Sequence, residues 1–253
     1  RLFLQPKVGL KSGRVLGAEA LVRWVDPARG MVPPMQFIPF AEQTGFIREI
    51  TRWMLATGVR EMARWAELGQ PLKLSINLST RDLLDVDLVE RVDSLLRRHD
   101  VPAGRLCLEI TESAIMDDPT RALQTLQRLS ELGVQLSIDD FGTGYSSFAY
   151  LARFPVHTLK IDRSFVHDMV SQTSSRTIVH SLVRLSHALQ LQVVAEGAET
   201  DEEMEMLRRM QCDAVQGFGY GRPQPFTQFL DFVHQRCGCG GAQVVPSSRP
   251  PVH

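Results

Sequence analysis

Leu106-Cys107-Leu108-Glu109-Ile110-Thr111-Glu112 and Val134-Gln135-Leu136-Ser137-Ile138-Asp139-Asp140 are two short β-rich runs, and what separates them decides the fold. Asp118-Pro119 reads as an N-cap with proline at the first helical position, Leu123 and Leu126 repeat at helical spacing, and Gly133 supplies a stop. The segment is therefore strand, helix, strand. Working outward, β-rich runs recur at Leu2 to Val8, Val15 to Trp24, Leu72 to Ser79, His157 to Asp162, Gln192 to Gly197 and Asp213 to Phe218, giving eight in all. Helical patterns fill most of the gaps: Val89, Val92 and Leu96, then Ile178, Leu182, Leu185 and Leu189, then a capping box at Thr200-Asp201-Glu202-Glu203, with Gly69 as a further stop. Eight strands alternating with helices predict an α/β chain folded as a TIM-like (β/α)8 barrel over residues 1–236, with a doubly wound open sheet as the competing arrangement. Gly9 to Arg14 is too short for a crossover helix, so one antiparallel strand is expected among the first two.

The composition suits such a core. With 253 residues, 43% hydrophobic and 23% charged, the chain is neither collagen, coiled coil nor wholly disordered. No apolar run approaches the ~18 residues of a membrane span and no signal-peptide pattern opens the chain, so a cytoplasmic domain is expected. Twenty-eight basic residues against 29 acidic ones leave no broad basic field, which argues against duplex nucleic acid as a partner. Cys107 and Cys212 read as buried thiols, while Cys237 and Cys239 belong to a glycine-rich tail, 237–253, expected to be disordered. Because Arg1 leads straight into a strand, the chain is expected to be part of a longer protein.

The informative residues are polar ones inside the apolar runs. Glu19, Asn77, Glu109, Asp139, Asp140, Lys160, Glu196 and Gln216 lie near the C-terminal ends of their strands, the end where barrel active sites form. Single pairs have ordinary structural explanations, such as Glu109 with Arg105 or Lys160 with Asp162, but surface ion pairs do not select one end of every strand. Five carboxylates against one lysine on a single rim require cations, and an oxygen-rich set without histidine or cysteine suits hard ions, Mg²⁺ or Mn²⁺. Adjacent Asp139 and Asp140 suit two ions, one carboxylate bridging and the other turned to the second ion. The glycine-bearing run Asp139 to Ser147 adds a candidate ligand-gripping loop.

These motifs together resemble a known family. Glu19-Ala20-Leu21 with Arg23 and Trp24 is similar to the signature of the EAL domain, the cyclic di-GMP phosphodiesterase of bacterial signalling. The resemblance runs from Gln5-Pro6 through Phe37-Ile38-Pro39 with Ala41-Glu42, Asn77-Leu78-Ser79, Glu109-Ile110-Thr111-Glu112, the Asp139 to Ser147 loop, Leu159-Lys160-Ile161-Asp162 and Ala195-Glu196-Gly197 with Glu199 to Gln216-Gly217-Phe218. It covers about residues 2–233. Asp26 before Pro27, Ala198, Phe148-Ala149 and Phe218-Gly219-Tyr220-Gly221 depart from the family pattern without touching an expected metal ligand.

The resemblance implies two divalent cations, Mg²⁺ or Mn²⁺, held by Glu19, Asn77, Glu109 and Asp139, with Asp140 and Glu196 toward the second; from its larger size and looser coordination, Ca²⁺ is expected to be inhibitory. It implies that Lys160 positions or helps deprotonate the attacking water and that Gln216 orients a water. Gln5 and Arg23 would hold the nucleotide, with Leu21, Pro39, Asp162 and Glu199 as further substrate contacts. Glu112 would anchor the loop that begins at Asp140 and communicates with a dimer interface, expected around Ser146 to Arg153 and the segment after Asp162. The expected reaction is hydrolysis of cyclic di-GMP to linear pGpG by a homodimer covalently linked to an upstream sensory or GGDEF-type domain. Two other readings remain at this point: a catalytically inactive cyclic di-GMP receptor, and a metal-dependent barrel lyase.

Overall fold

A computed structural model describes residues 1–70, 72–142, 151 and 153–237. Its strands are β1 (Leu2–Gly9), β2 (Val15–Val22), β3 (Trp24–Asp26), β4 (Gly30–Val32), β5 (Lys73–Leu78), β6 (Leu106–Thr111), β7 (Gln135–Phe141), β8 (Thr158–Ile161), β9 (Gln192–Glu196) and β10 (Ala214–Gln216). Eight of them close into a barrel in the order β1, β10, β9, β8, β7, β6, β5, β2. The pairings from β2 through β5 to β10 are parallel, whereas β1 is antiparallel to both of its neighbours. The expected antiparallel strand is thus the first, joined to β2 by the short turn.

Period-two alternation sorts the side chains. Leu74, Ile76, Leu106, Leu108, Ile110, Leu136, Leu159, Ile161 and Val193 are fully sequestered in the layer between strands and helices, against residues such as Leu55, Val59 and Trp65 of the long helix Ile47–Glu67. The intervening residues face into the barrel, and they are unusually polar: Ser75, Glu109, Ser137, Asp139 and Lys160 are all buried. Barrel interiors normally fill with branched apolar side chains. Here the upper interior is given to charge.

Helix ends follow the sequence signals. Asp118 accepts from Arg121 N ahead of Pro119 in helix Pro119–Glu131, Thr200 and Glu203 close a reciprocal capping box, and Gly69 and Gly133 take left-handed φ of 70° and 86°. Two expectations need correction. The second strand stops at Val22 and does not reach Trp24, because Asp26 Oδ1 accepts from Ala28 N and Arg29 N and folds Trp24–Asp26 into a hairpin with Gly30–Val32. Helix Thr173–Ala188 buries Ser175, Val179, Leu182, Val183 and Ser186, leaving Ile178 exposed. Its buried stripe includes two serines that an apolar count overlooks.

Cys107 and Cys212 are buried free thiols, as read. Cys237 ends the last helix, Phe226–Cys237, while Cys239 and the rest of the tail lie outside the described residues. So do most of the Ser146 to Arg153 segment and the glycine loop beyond Gly142. Among the described residues no helix is long and apolar enough to cross a membrane.

Candidate active site

Strand register brings the candidate groups to one level. Gln5 pairs with Glu19, Asn77 with Glu109, and Glu196 with Gln216. At the centre stands Lys160, only 1% exposed, whose Nζ lies 2.8 Å from Glu109 Oε2, 2.9 Å from Asp139 Oδ1, 2.6 Å from Glu196 Oε1 and 3.5 Å from Glu19 Oε2. Glu19 is held in turn by Asn77 Nδ2 at 2.7 Å and Gln216 Nε2 at 2.5 Å. Gln216 also donates to Gln5 Oε1 at 3.1 Å, and Gln5 to the carbonyl of Gly221 at 3.3 Å. The bland pairings of Glu109 with Arg105 and Lys160 with Asp162 are not what forms: Asp162 caps the next helix by accepting from Ser164 N at 2.9 Å.

Adjacent residues on a strand point to opposite faces, so two consecutive aspartates should not share a site. β7 resolves this with a register shift between Ile138 and Phe141 and a left-handed φ of 51° at Asp140. Carboxylate oxygens of Asp139, Asp140 and Glu196 then lie within 4.8 Å of one another, as do those of Glu19, Glu109 and Asp139. Asp139 is common to both groups.

Crowding sets the electrostatics. Burial alone would raise Glu109, but Lys160 and Lys7 outweigh it and hold this carboxyl down to about 2. Burial, reinforced by Glu109 and Glu19, pushes Asp139 up to about 6 despite Lys160; burial also lifts Glu196 to about 8, with Asp139 and Glu19 adding to it. Asp140 is raised by burial and by Asp162. Burial works against charge on Lys160, yet Glu109 and the other carboxylates raise it well above the usual lysine range. Two ammonium groups, Lys160 and Lys7, do not satisfy this many carboxylates, and the hard-oxygen donor set fits divalent cations.

A stability prediction follows. Carboxyls raised in the folded state favour folding while protonated, so the metal-free protein should lose stability as pH rises from the ordinary carboxyl range, about 4, through the folded values of Asp139, about 6, and Glu196, about 8. Saturating Mg²⁺ should flatten that decline, because a bound cation favours the ionised forms. Thermal melts across pH 5–9 with and without Mg²⁺ test this, and a metal-free melting point that rises over the window would contradict it.

A cleft of about 320 Å³ opens over the cluster, lined by Gln5, Glu19, Asp139, Asp140, Lys160, Asp162, Glu196, Glu199 and Gln216 of the expected set. Asn77 and Glu109 join it through Glu19 and Lys160. Arg23, Leu21, Pro39 and Glu112 are not among its walls. Arg23 sits over the Phe3 ring and lines a separate groove with Trp24 and Phe37; Pro39 is exposed within helix Pro34–Thr44; Leu21 is half-buried opposite Phe3; and Glu112 begins helix Glu112–Met116.

Sequence reasoning missed three residues. Arg163 and His167, one helical turn apart on helix Arg163–Asp168, line the cleft together with the acids, and His167 Nδ1 lies 2.7 Å from Glu203 Oε1. Lys7 ion-pairs with Glu109 Oε1 from inside the barrel. Burial opposes its charge, but Glu109 and Glu19 raise it overall. The signal for Lys7 was available, since it lies two residues beyond Gln5 on the same face of β1.

A mixed barrel whose strand ends gather carboxylates about one lysine, with hard-cation spacing, defines a class of acidic-centred α/β barrels. The chain belongs to the EAL domain family, whose profile matches residues 1–223. Among its relatives, the bifunctional diguanylate cyclase/cyclic di-GMP phosphodiesterase MucR of Pseudomonas aeruginosa is 43% identical over 233 residues, 92% of this chain and 34% of that protein. The cyclic di-GMP phosphodiesterase PdeR of Escherichia coli is 39% identical over 228 residues, 90% of this chain and 34% of that protein. The solved structure of the PaMucR phosphodiesterase in complex with c-di-GMP matches with a TM-score of 0.87 at 43% identity, covering 90% of this chain and 93% of that one. The chain spans about a third of the length of the curated relatives it matches.

Proposed function

We propose that this chain is a cyclic di-GMP phosphodiesterase that opens one phosphodiester of the ring to give linear pGpG. The observation that carries the reading is the ring of Glu19, Glu109, Asp139 and Glu196 around Lys160, with Asp140 bulged inward beside it. The family's named phosphodiesterases support the substrate class.

Glu19, Asn77, Glu109 and Asp139 would hold one divalent cation, and Asp139, Asp140 and Glu196 a second. Such ions supply an activated water and neutralise charge on the phosphate oxygens. Lys160 donates hydrogen bonds into the cluster and, being held protonated, orients and stabilises negative charge; proton abstraction would require its carboxylate neighbours to be neutralised first. Gln216, fixed by Glu19 and Gln5, presents an amide to the cleft floor. Gln5, Asp162 and Glu199 face the cleft as nucleotide contacts, and Arg23, Leu21 and Pro39 serve a ligand that extends beyond it. Glu112 is assigned to anchoring the loop that follows Asp140. In the complete protein we place this unit, residues 1–236, in the cytoplasm as a homodimer tied to a sensory or GGDEF-type domain.

Ion size tests the reading. Mg²⁺ demands near-octahedral oxygens at ~2.0–2.1 Å, whereas Ca²⁺ prefers ~2.3–2.6 Å and more ligands. Misplacing the reacting groups by about 1 Å costs on the order of 10²-fold. Ca²⁺ should therefore support cyclic di-GMP binding in calorimetry but block turnover, with excess Mg²⁺ or Mn²⁺ restoring it. Asp140→Asn keeps the left-handed backbone, which asparagine tolerates, and should lose turnover more than binding. Equal turnover in Ca²⁺ and Mg²⁺, or an Asp140→Asn variant altered in binding alone, would count against the two-ion site. Tight binding with no turnover in any ion would favour the receptor reading.

A further inference from the structure

Lys7 reaches the acidic centre from beneath. Its ammonium pairs with Oε1 of Glu109 and donates to Ser75 Oγ at 2.7 Å, while the other oxygen of Glu109 takes Lys160 at 2.8 Å. Glu109 is completely buried, so each of its oxygens is claimed by a different ammonium. Lys7 is not in the wall of the 320 Å³ cleft. It lines instead a cavity of about 90 Å³ lower in the barrel, with Ser75, Cys107, Glu109 and Ser137. A ligand seated in the cleft meets Lys160 and Asp139, and Glu109 stands between that level and Lys7.

We propose that Lys7 is a positioning residue for the phosphodiesterase centre: it fixes one oxygen of Glu109 so that the other is aimed at Lys160 and the cation site. The proposal rests on the functional reading given above. Without Lys7, Glu109 would keep one cationic partner, Lys160, which is already shared with Asp139 and Glu196. Glu109 would rotate to take a larger share of that ammonium, withdrawing an oxygen from the cation and misaligning Lys160 for the other two acids.

The lower cavity makes the proposal testable by chemical rescue. Truncating Lys7 joins the vacated space to the 90 Å³ cavity, where Glu109 Oε1 and Ser75 Oγ remain as acceptors and Ser137 Oγ has no partner among the described residues. A small alkylammonium fits that polar space.

The experiment compares Lys7→Ala with the parent chain by Mn²⁺ titration calorimetry and by cyclic di-GMP turnover, with and without methylammonium. Lys7→Ala should weaken Mn²⁺ binding and lower kcat by about 10-fold or more, the scale of losing a group that orients a metal ligand, while KM for cyclic di-GMP stays within about 2-fold. Methylammonium should restore much of both losses, and tetramethylammonium, which has no N–H donor, should not. Unchanged Mn²⁺ affinity, or a loss in the folded variant that methylammonium leaves untouched, would overturn the proposal. Should Lys7→Ala fail to fold, Ser75→Ala removes the second partner of Lys7 at no cost in charge. It should weaken Mn²⁺ binding about 3-fold, the scale of one hydrogen bond, and unchanged affinity there would equally overturn the assignment. If the parent chain binds Mn²⁺ but leaves cyclic di-GMP intact, the functional reading fails while the Mn²⁺ comparison still decides the role of Lys7.

Discussion

Lys160→Met is expected to lower kcat by about 10²-fold or more, as loss of a positioned electrostatic group does, and to destabilise the metal-free protein by about 3–5 kcal/mol, as loss of one partner of a buried ion pair does. Both effects share a cause. The side chain is 1% exposed and four carboxylates stand 2.6–3.5 Å from its ammonium, so its removal leaves those acids without their shared cation. Asp139 and Glu196 can escape part of the penalty by protonating, so the loss should be larger at pH 8 than at pH 6. Mg²⁺ should recover much of the stability and little of the rate. Denaturant unfolding at the two pH values, alongside steady-state kinetics, measures each part. Parent-like stability with a change confined to KM would make Lys160 a binding residue.

Glu19→Ala should separate rate from stability. Glu19 accepts from Asn77 and Gln216 and lies at the edge of the cluster, 3.5 Å from Lys160. Its removal relieves negative crowding, Asn77 is exposed enough to turn to water, and Gln216 keeps its bond to Gln5. Turnover should fall on the order of 10³-fold, as for groups acting on developing charge, while the melting temperature stays within ~4 °C, about 1 kcal/mol for a chain of this size. Asn77→Ala should follow the same pattern. Retained turnover in Glu19→Ala would remove it from the cation site.

The barrel was legible because its signal is redundant. Gly133 and Asp118-Pro119 punctuate one repeat unit, and the same alternation of short apolar run and helical stripe recurs around the chain. The antiparallel first strand could be anticipated from loop length alone. What escaped the sequence was local geometry. The side chain of Asp26 ends the second strand early by capping its own turn, an interaction that no apolar pattern records. The stripe of helix Thr173–Ala188 is set by Ser175 and Ser186 as much as by its leucines.

The rim carboxylates were found because charge inside an apolar run is conspicuous, yet how Asp139 and Asp140 share a site depends on a bulge and a left-handed φ. Lys7 was overlooked for the opposite reason. A lysine near the end of a strand reads as solvated, and only the inward phase set by Gln5 places it under Glu109.

The central claim is hydrolysis at the acidic rim, and chromatographic identification of products from cyclic di-GMP tests it most directly. Purified protein with Mg²⁺ or Mn²⁺ is predicted to convert cyclic di-GMP to linear pGpG, with no conversion after chelation and on the order of 10³-fold slower conversion in Glu19→Ala. Intact cyclic di-GMP recovered after incubation with either ion, from protein that binds it tightly, would contradict the account and leave a receptor in place of an enzyme.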